Sequence, residues 1–281
     1  MKETEEIPMR KSKRIQKYIC TLIAVILGLA CVFPFIWMIR SSLMSNMEIY
    51  QYPPRMVPKN WMFENYPYTL KVFPFGRYLI NTLSITIPSV CGVLLTSTLA
   101  AYCFARLEFP GKKLWFALVV SSILMPSSVT IIPIFLGWTA VGLSNGYAPL
   151  IVPAFLGGGG FNIFLCRQFL MTIPKDIDEA AIIDGASHPR ILFQILLPLI
   201  KPVLISIFLF TFILYWNDVL GPVIYISRNE QNTISQALAN FRAGFGTDYR
   251  AIMAACVMSV LPTVALYLIG QKYFIEGIGK I

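Results

Sequence analysis

Residues 174–202 read PKDIDEAAIIDGASHPRILFQILLPLIKP and separate two apolar stretches, Tyr147–Cys166 and Leu199–Tyr225. Each stretch is about as long as a helix needs to cross a bilayer. The first half of the segment is too polar for lipid and too patterned for a plain connector. Pro174 stops the preceding run, and Asp176 followed by Glu179 makes a capping-box-like start with acidic groups at the positive end of a helix dipole. Gly185 ends that short helix and allows a left-handed backbone or a close approach there, and Ser187 with Pro189 opens a second helix leading to Pro198. The expected structure is a helix, a glycine elbow and a helix joined rigidly to a transmembrane segment. Ala180 and Ala181 would let another surface approach closely, as a mechanical coupling element requires. Read from the residues alone, a solvated loop with an incidental amphipathic helix stands as an equal alternative.

Working outward, 56% of the chain is hydrophobic and 13% charged, against roughly 45–50% and 25% in soluble globular proteins. Lipid is therefore the solvent for most of it. Apolar runs fall at Tyr18–Ile39, Tyr78–Phe104, Leu114–Thr139, Tyr147–Cys166, Leu199–Tyr225 and Ile252–Tyr273, which predicts an all-α membrane protein with six transmembrane helices. The first run is too long for a signal-peptide core and is followed by Arg40 rather than a cleavage site. Pro126, Pro133, Pro149 and Pro153 can kink or break the third and fourth spans, which membrane helices tolerate when neighbours satisfy the freed carbonyls. No length remains for a soluble catalytic domain.

Positive charge resists translocation, so short loops rich in Lys and Arg lie inside. Arg10, Lys11, Lys13, Arg14 and Lys17 precede the first span, and Arg106, Lys112 and Lys113 fill the loop between the second and third. Residues Val141 to Gly146 carry no charge, while Lys272 and Lys280 follow the last span. Both termini are expected in the cytoplasm. The net charge of +9 thus reflects topology, not a nucleic-acid surface, for which no folded polar domain is available. The predicted organisation is a cytoplasmic segment over 1–17, a first transmembrane helix over 18–40, an outside loop over 41–77, a transmembrane domain over 78–274 with its cytoplasmic loop at 167–198, and a cytoplasmic tail over 275–281. The outside segments Ser41–Arg77 and Ile226–Arg250 read as turns and short interfacial pieces rather than stable domains.

Few residues suggest chemistry. The six cysteines all fall in apolar stretches with no paired spacing, and no Ser/His/Asp set is discernible. His188, the single histidine, reads as a solvated surface residue. Asp218, beside Trp216 and Asn217, sits inside the fifth run or at its outer end, where an ionisable group is expensive and is a candidate for solute contact or gating; the alternative is that the run ends near Trp216 and Asp218 turns the chain at the interface. Asn162 and the run Gly157–Gly160 are candidates for a solute-lined cavity, against the alternative of packing or a helix break. Small residues at Ser97, Ala101 and Ala105, and at Ala251, Ala255 and Ser259, mark faces for close helix packing.

One match is more specific than any of these. Glu179-Ala180-Ala181, three residues, Gly185, nine residues, then Ile195-Leu196-Leu197-Pro198 resembles, without departure, the EAA signature of type I ATP-binding cassette importer permeases. The wider resemblance runs from about Phe75 to Gly277 and includes NTL at Asn81, AAYCFARLEFPGKK at Ala100, MPSSVTIIP at Met125, RQFLMTIP at Arg167, WND at Trp216 and FRAGFGTDY at Phe241. Together these look like the maltose-type permeases, with the four glycines at 157–160 as a departure.

The resemblance implies the type I importer permease fold in a bacterial-type inner membrane and an ATPase-coupling role for Glu179, Ala180, Ala181, Asp184, Gly185, Ile195, Leu197 and Pro198. It implies a second permease, in a heterodimer, as well as two ATPase subunits and an extracytoplasmic binding protein that delivers a sugar or oligosaccharide. No cofactor is expected on this chain. ATP and Mg would be used by the partner ATPase, in keeping with the absence of a GxxxxGK[ST] loop. The competing class, an ion-gradient-driven secondary transporter, calls for ionisable residues deep within several spans, and these spans are nearly free of charge.

Overall fold

The computed structural model describes residues 11–244 and 248–278. Arg10, the middle of the FRAGFGTDY stretch and Lys280 lie outside the described residues. Within them every regular element is a helix. Two compact units are present: residues 1–72 with 245–257, and residues 73–244 with 258–281.

The first unit is entered by α1, Lys11–Ser42. It is exposed over its apolar length, as a helix surrounded by lipid should be, and becomes buried from Arg40 onward. Two further helices, α2 (Asn46–Ile49) and α3 (Asn65–Val72), follow in the segment read as turns and short interfacial pieces. These short pieces are tightly anchored. Asn65 is fully buried, and its side-chain amide donates to the carbonyls of Ser42 (2.9 Å) and Met44 (3.0 Å), closing the end of α1. Thr69 Oγ1 donates back to Asn65 O at 2.6 Å, and the hydroxyls of Ser42 and Tyr66 meet at 2.8 Å. Composition could not show that one asparagine would take up two orphaned helix-end carbonyls.

The second unit is built around α4, Phe75–Arg106. After it come α5 (Lys112–Ile123), α6 (Ser127–Ala140), α7 (Ala148–Ile151), a 3₁₀ turn at Val152–Phe155 and α8 (Gly160–Met171). Then follow α9 (Asp176–Ile183), α10 (His188–Arg190), a π-helical stretch at Ile191–Leu196, α11 (Leu197–Leu199), α12 (Lys201–Trp216), α13 (Leu220–Tyr225) and α14 (Ile234–Gly244). The last helix, α15 (Tyr249–Ile278), enters this unit at Met258. Among the described residues, four helical stretches are long and apolar enough to cross a bilayer by themselves. Two bent pairs, α5 with α6 and the 188–199 segment with α12, bring the number to as many as six. Pro126 stands at the first break, in extended conformation just before α6. Against expectation the fifth run does not continue to Tyr225, because α12 ends at Trp216 and α13 is a separate piece. The segment after it, read as turns and short interfacial pieces, carries α14, whose Ile234, Ala237 and Phe241 are buried.

The fourth span is interrupted where Pro149, Pro153 and the glycine run fall. Hydroxyls of α4 take up carbonyls at the break, with Thr96 Oγ1 donating to Ala154 O (3.1 Å) and Ser89 Oγ to Leu150 O (3.4 Å). This is how membrane helices tolerate such residues. Gly157, Gly158 and Gly159 all have positive φ. A Cβ on Gly158 would lie 2.8 Å from the backbone nitrogen of Ser97, and one on Gly160 would lie 2.5 Å from Val119 O. Of the two sequence readings, packing and a helix break describe these glycines. Replacing Gly158 with Ala is expected to lower the detergent-solubilised melting temperature by several degrees, since a left-handed backbone alone costs about 1–2 kcal/mol. An unchanged melting curve would contradict the close contact with α4.

Candidate functional site

The elbow is defined by backbone geometry. At the end of α9, Gly185 N donates to Ile182 O and Ala186 N to Ala181 O, both at 2.9 Å. These are the paired 5→2 and 6→1 bonds of a Schellman cap, which needs a left-handed residue between them. Gly185 supplies it with φ +77°. A Cβ there would meet nothing within 4 Å, so the glycine is needed for its backbone and not for space inside the chain. The other end departs from prediction: Lys175 holds the cap position and no side chain caps the helix. Asp176, Asp178 and Glu179 still lie in the first turn, where their charge favours the dipole.

One face of α9 is fixed to the bundle. Asp178 and Ala181 are buried, and Ala181 packs in the same cluster as Ala101, Tyr102 and Ala105 of α4 and Leu170 of α8. Arg106, at the end of α4, brings Nε to 2.7 Å from Asp178 Oδ2, with both side chains largely shielded. The contact is a close charge pair lying off the hydrogen-bond axis. The same guanidinium donates through Nη2 to Ile173 O at 3.0 Å. Burial pushes the Asp178 carboxyl above the usual aspartate range, and Arg106 foremost, then Lys175 and His188, pull it back. From α8, Arg167 Nε donates to Phe104 O at 3.2 Å. Each arginine thus holds a carbonyl on the other's strand of chain. His188 is exposed, as expected, but it is also tied to α4, its Nδ1 lying 3.0 Å from the Tyr102 hydroxyl.

The opposite face is bare. Glu179, Ala180 and Asp184 are exposed, and Ile183 is 86% exposed at the tip of the helix. Beyond the elbow, Pro189, Pro198 and Pro202 each stand in the first turn of a new helical segment, where a missing N–H costs little. The chain turns by 81° into α12. Ile195 is partly buried against the main cluster, Leu197 lines an apolar groove with Leu94, Leu95 and Leu204, and Pro198 is exposed. The deepest residues here are Ile191, Leu196 and Ile200, each 0% exposed. Sequence reasoning missed them, as it missed Arg106 and Asp178. The available signal was a basic residue just past the end of one apolar run and an acidic residue in the polar loop after another.

At the far end of α12, the candidate residues divide. Trp216 is buried, stacked on Phe212 at 5.4 Å, and its Nε1 donates to Ser259 O at 3.2 Å. Asn162 spends its amide on Gly158 O (2.8 Å) at the glycine break. Asn217 is exposed, and Asp218 is half-buried, its Oδ1 accepting from Gly221 N at 3.1 Å. Both line a cavity of about 800 Å³ together with Tyr215, Tyr225 and Leu214. Asp218 therefore turns the chain and also faces an open space.

Residues 77–280 match the family described as the binding-protein-dependent transport system inner membrane component. The chain belongs to this family. Its members are translocation subunits of ATP-binding cassette importers and not enzymes. Over 243 residues it is 30% identical to a diacetylchitobiose uptake system permease of Streptomyces coelicolor, covering 86% of this chain and 80% of that one. Over 274 residues it is 31% identical to a melibiose/raffinose/stachyose import permease of Bacillus subtilis, covering 97% and 98%. The fold is similar to that in the crystal structure of a bacterial transporter that imports the acidic polysaccharide alginate, with a TM-score of 0.81, 25% identity and coverage of 94% and 98%.

In a permease of this family the Arg106–Asp178 pair should govern how firmly α9 is seated. Breaking a buried pair from one side typically costs about 3–5 kcal/mol. Arg106→Gln also removes the largest influence lowering the Asp178 pKa, so its carboxyl should rise further. We expect hydrogen exchange of the 176–186 amides to accelerate at least tenfold at neutral pH in Arg106→Gln. Because a raised folded-state pKa favours the docked helix when the group is protonated, the defect should shrink on acidification, and Asp178→Asn should partly rescue it. Exchange equal to wild type would show that the pair does not hold the helix.

Proposed function

We propose that this chain is one of two permease subunits of an importer for a sugar or oligosaccharide, paired with a non-identical second permease, two ATPase subunits and an extracytoplasmic binding protein. The observation that carries the coupling reading is the two-faced α9: one side is seated on α4 by Asp178 and Ala181, and the other offers Glu179, Ala180, Asp184 and the apolar tip Ile183 to solvent. A partly apolar, exposed face on a rigid element is the form a docking site takes. In this reading the ATPase receives Glu179, Ala180 and Ile183. Gly185 sets the elbow angle, and Ile195, Leu197 and Pro198 carry displacement into α12. ATP and Mg act on the partner, with no cofactor on this chain.

Closure of the ATPase pair would draw two such helices together and rock the bundles between inward- and outward-facing states. The sugar assignment is supported by the diacetylchitobiose and melibiose/raffinose/stachyose permeases among the relatives and by the alginate importer. On the outer side, Asn217 and Asp218 with the flanking tyrosines supply hydrogen-bonding and stacking groups suited to a polyol. Trp216 and Asn162 serve as supports of that path. The termini, including 1–17 and 275–281, lie in the cytoplasm of a bacterial inner membrane, with 41–77 outside.

Three variants test the docking face. Ile183→Asp should reduce copurification of the ATPase at least tenfold while leaving the melting temperature of the permease pair unchanged, because Ile183 touches little of its own chain. Gly185→Val should do likewise by forcing a β-branched residue to φ +77°, and Gly185→Asn, which tolerates that conformation, should retain most association. Full ATPase copurification and uptake in Ile183→Asp would sink the assignment.

A further inference from the structure

Beside the coupling helix lies a group of cations that outnumbers the carboxylates around it. Two adjoining clefts, of about 380 and 590 Å³, share Phe104, Glu108, Lys112 and Arg167 in their walls. Lys175 lines the first and Lys113 the second, and Arg106 also reaches the first. Two of these five cations are answered: Arg106 by Asp178, and Lys112 by Glu108 at 3.0 Å. Arg167 spends Nε on Phe104 O and rests its guanidinium 4.1 Å from the Phe116 ring centroid. Its two terminal nitrogens make no hydrogen bond with the described residues, nor do the ammonium groups of the exposed Lys113 and Lys175. Five cations stand in these walls against one lining carboxylate, Glu108, which also feels Lys113 and Lys175, with Asp178 beside Arg106, and this positive excess will attract an anion.

The floor indicates which anion. Phe104 packs on Phe109 (5.8 Å) and Phe116 (5.4 Å), so the cationic rim surrounds aromatic rings. The second cleft includes Gly111 at the start of α5, whose Leu114, Trp115 and Leu118 are exposed apolar residues of the kind that face lipid. A free phosphate would gain nothing from such a floor. A phospholipid would place its phosphate on the cations, its glycerol on the rings and its chains along α5, with Trp115 at interfacial depth. Basic hollows between helices on the cytoplasmic side are suited to anionic head groups.

We propose that the cleft around Arg167, Lys113 and Lys175 binds the phosphate of an anionic phospholipid of the inner leaflet, next to the ATPase-coupling helix. This rests on the proposed orientation, with the coupling loop in the cytoplasm. The test uses the whole transporter, extracted from membranes containing phosphatidylglycerol and phosphatidylcholine, with retained lipid quantified by mass spectrometry and ATPase copurification scored in the same samples. Wild type should be enriched in phosphatidylglycerol, and the double variant Lys113→Gln/Lys175→Gln should lose at least about fivefold of that enrichment with the ATPase still bound. Arg167→Gln should act in the same direction. No enrichment in wild type, or undiminished enrichment in the double variant, would overturn the proposal. So would loss of the ATPase with lipid unchanged, which assigns the cleft to a protein surface, or inorganic phosphate stabilising the complex as well as phosphatidylglycerol does, which assigns it to a free anion. Failure of the wild-type ATPase to copurify would instead count against the importer reading and leaves the lipid measurement legible.

Discussion

The contact on which the seating of α9 depends is the 2.7 Å charge pair between Arg106 and Asp178. A short amphipathic helix of eight residues has little stability of its own. It is informative to a membrane bundle only if one of its faces is tied to a long element. Arg106 ends α4, the helix around which the second unit is built, and through Nη2 it also holds the carbonyl of Ile173 where α8 gives way to the loop. One guanidinium therefore joins the start of the loop, α9 and the central helix. Removing two charges from water is expensive, and the arrangement is tolerable because the pair sits at the polar edge of the bundle rather than within it.

Much of the rest is a matter of how the backbone is broken. Prolines at 189, 198 and 202 divide the path from the elbow to α12 into short pieces, each with its proline in a first turn. Ile191, Leu196 and Ile200 lock those pieces onto the core. The glycine run at 157–160 does the same for the fourth span, with hydroxyls of α4 accepting the task of satisfying exposed carbonyls. A segmented but packed linkage transmits displacement because packed cores yield in discrete steps and not continuously.

The bundle and the helix–elbow–helix were legible in the sequence because both rest on local signals: apolar run length, proline placement, and a glycine three residues beyond Ile182. Of the two readings of Gly185, a left-handed residue or a close backbone approach, the first is present. What escaped were contacts between residues distant in the chain. Asp178 reads as one more acidic residue in a first turn until α4 brings Arg106 beside it, and Asn65 reads as a loop residue until it meets the end of α1. Asp176 illustrates the reverse error, since a sequence-legible capping box did not form. Asp218, read as inside the fifth run or at its outer end, lies just past the end of α12 in a turn that also faces a cavity.

A loop that merely docks an ATPase and a loop that transmits its motion differ in one measurable quantity, the amount of solute taken up per ATP hydrolysed in reconstituted transporter. With the complex assembled, Arg106→Gln loosens the seating of α9 but leaves its exposed face intact. The account therefore predicts that ATP hydrolysis continues while uptake per ATP falls severalfold. An unchanged ratio in an assembled Arg106→Gln complex would contradict it.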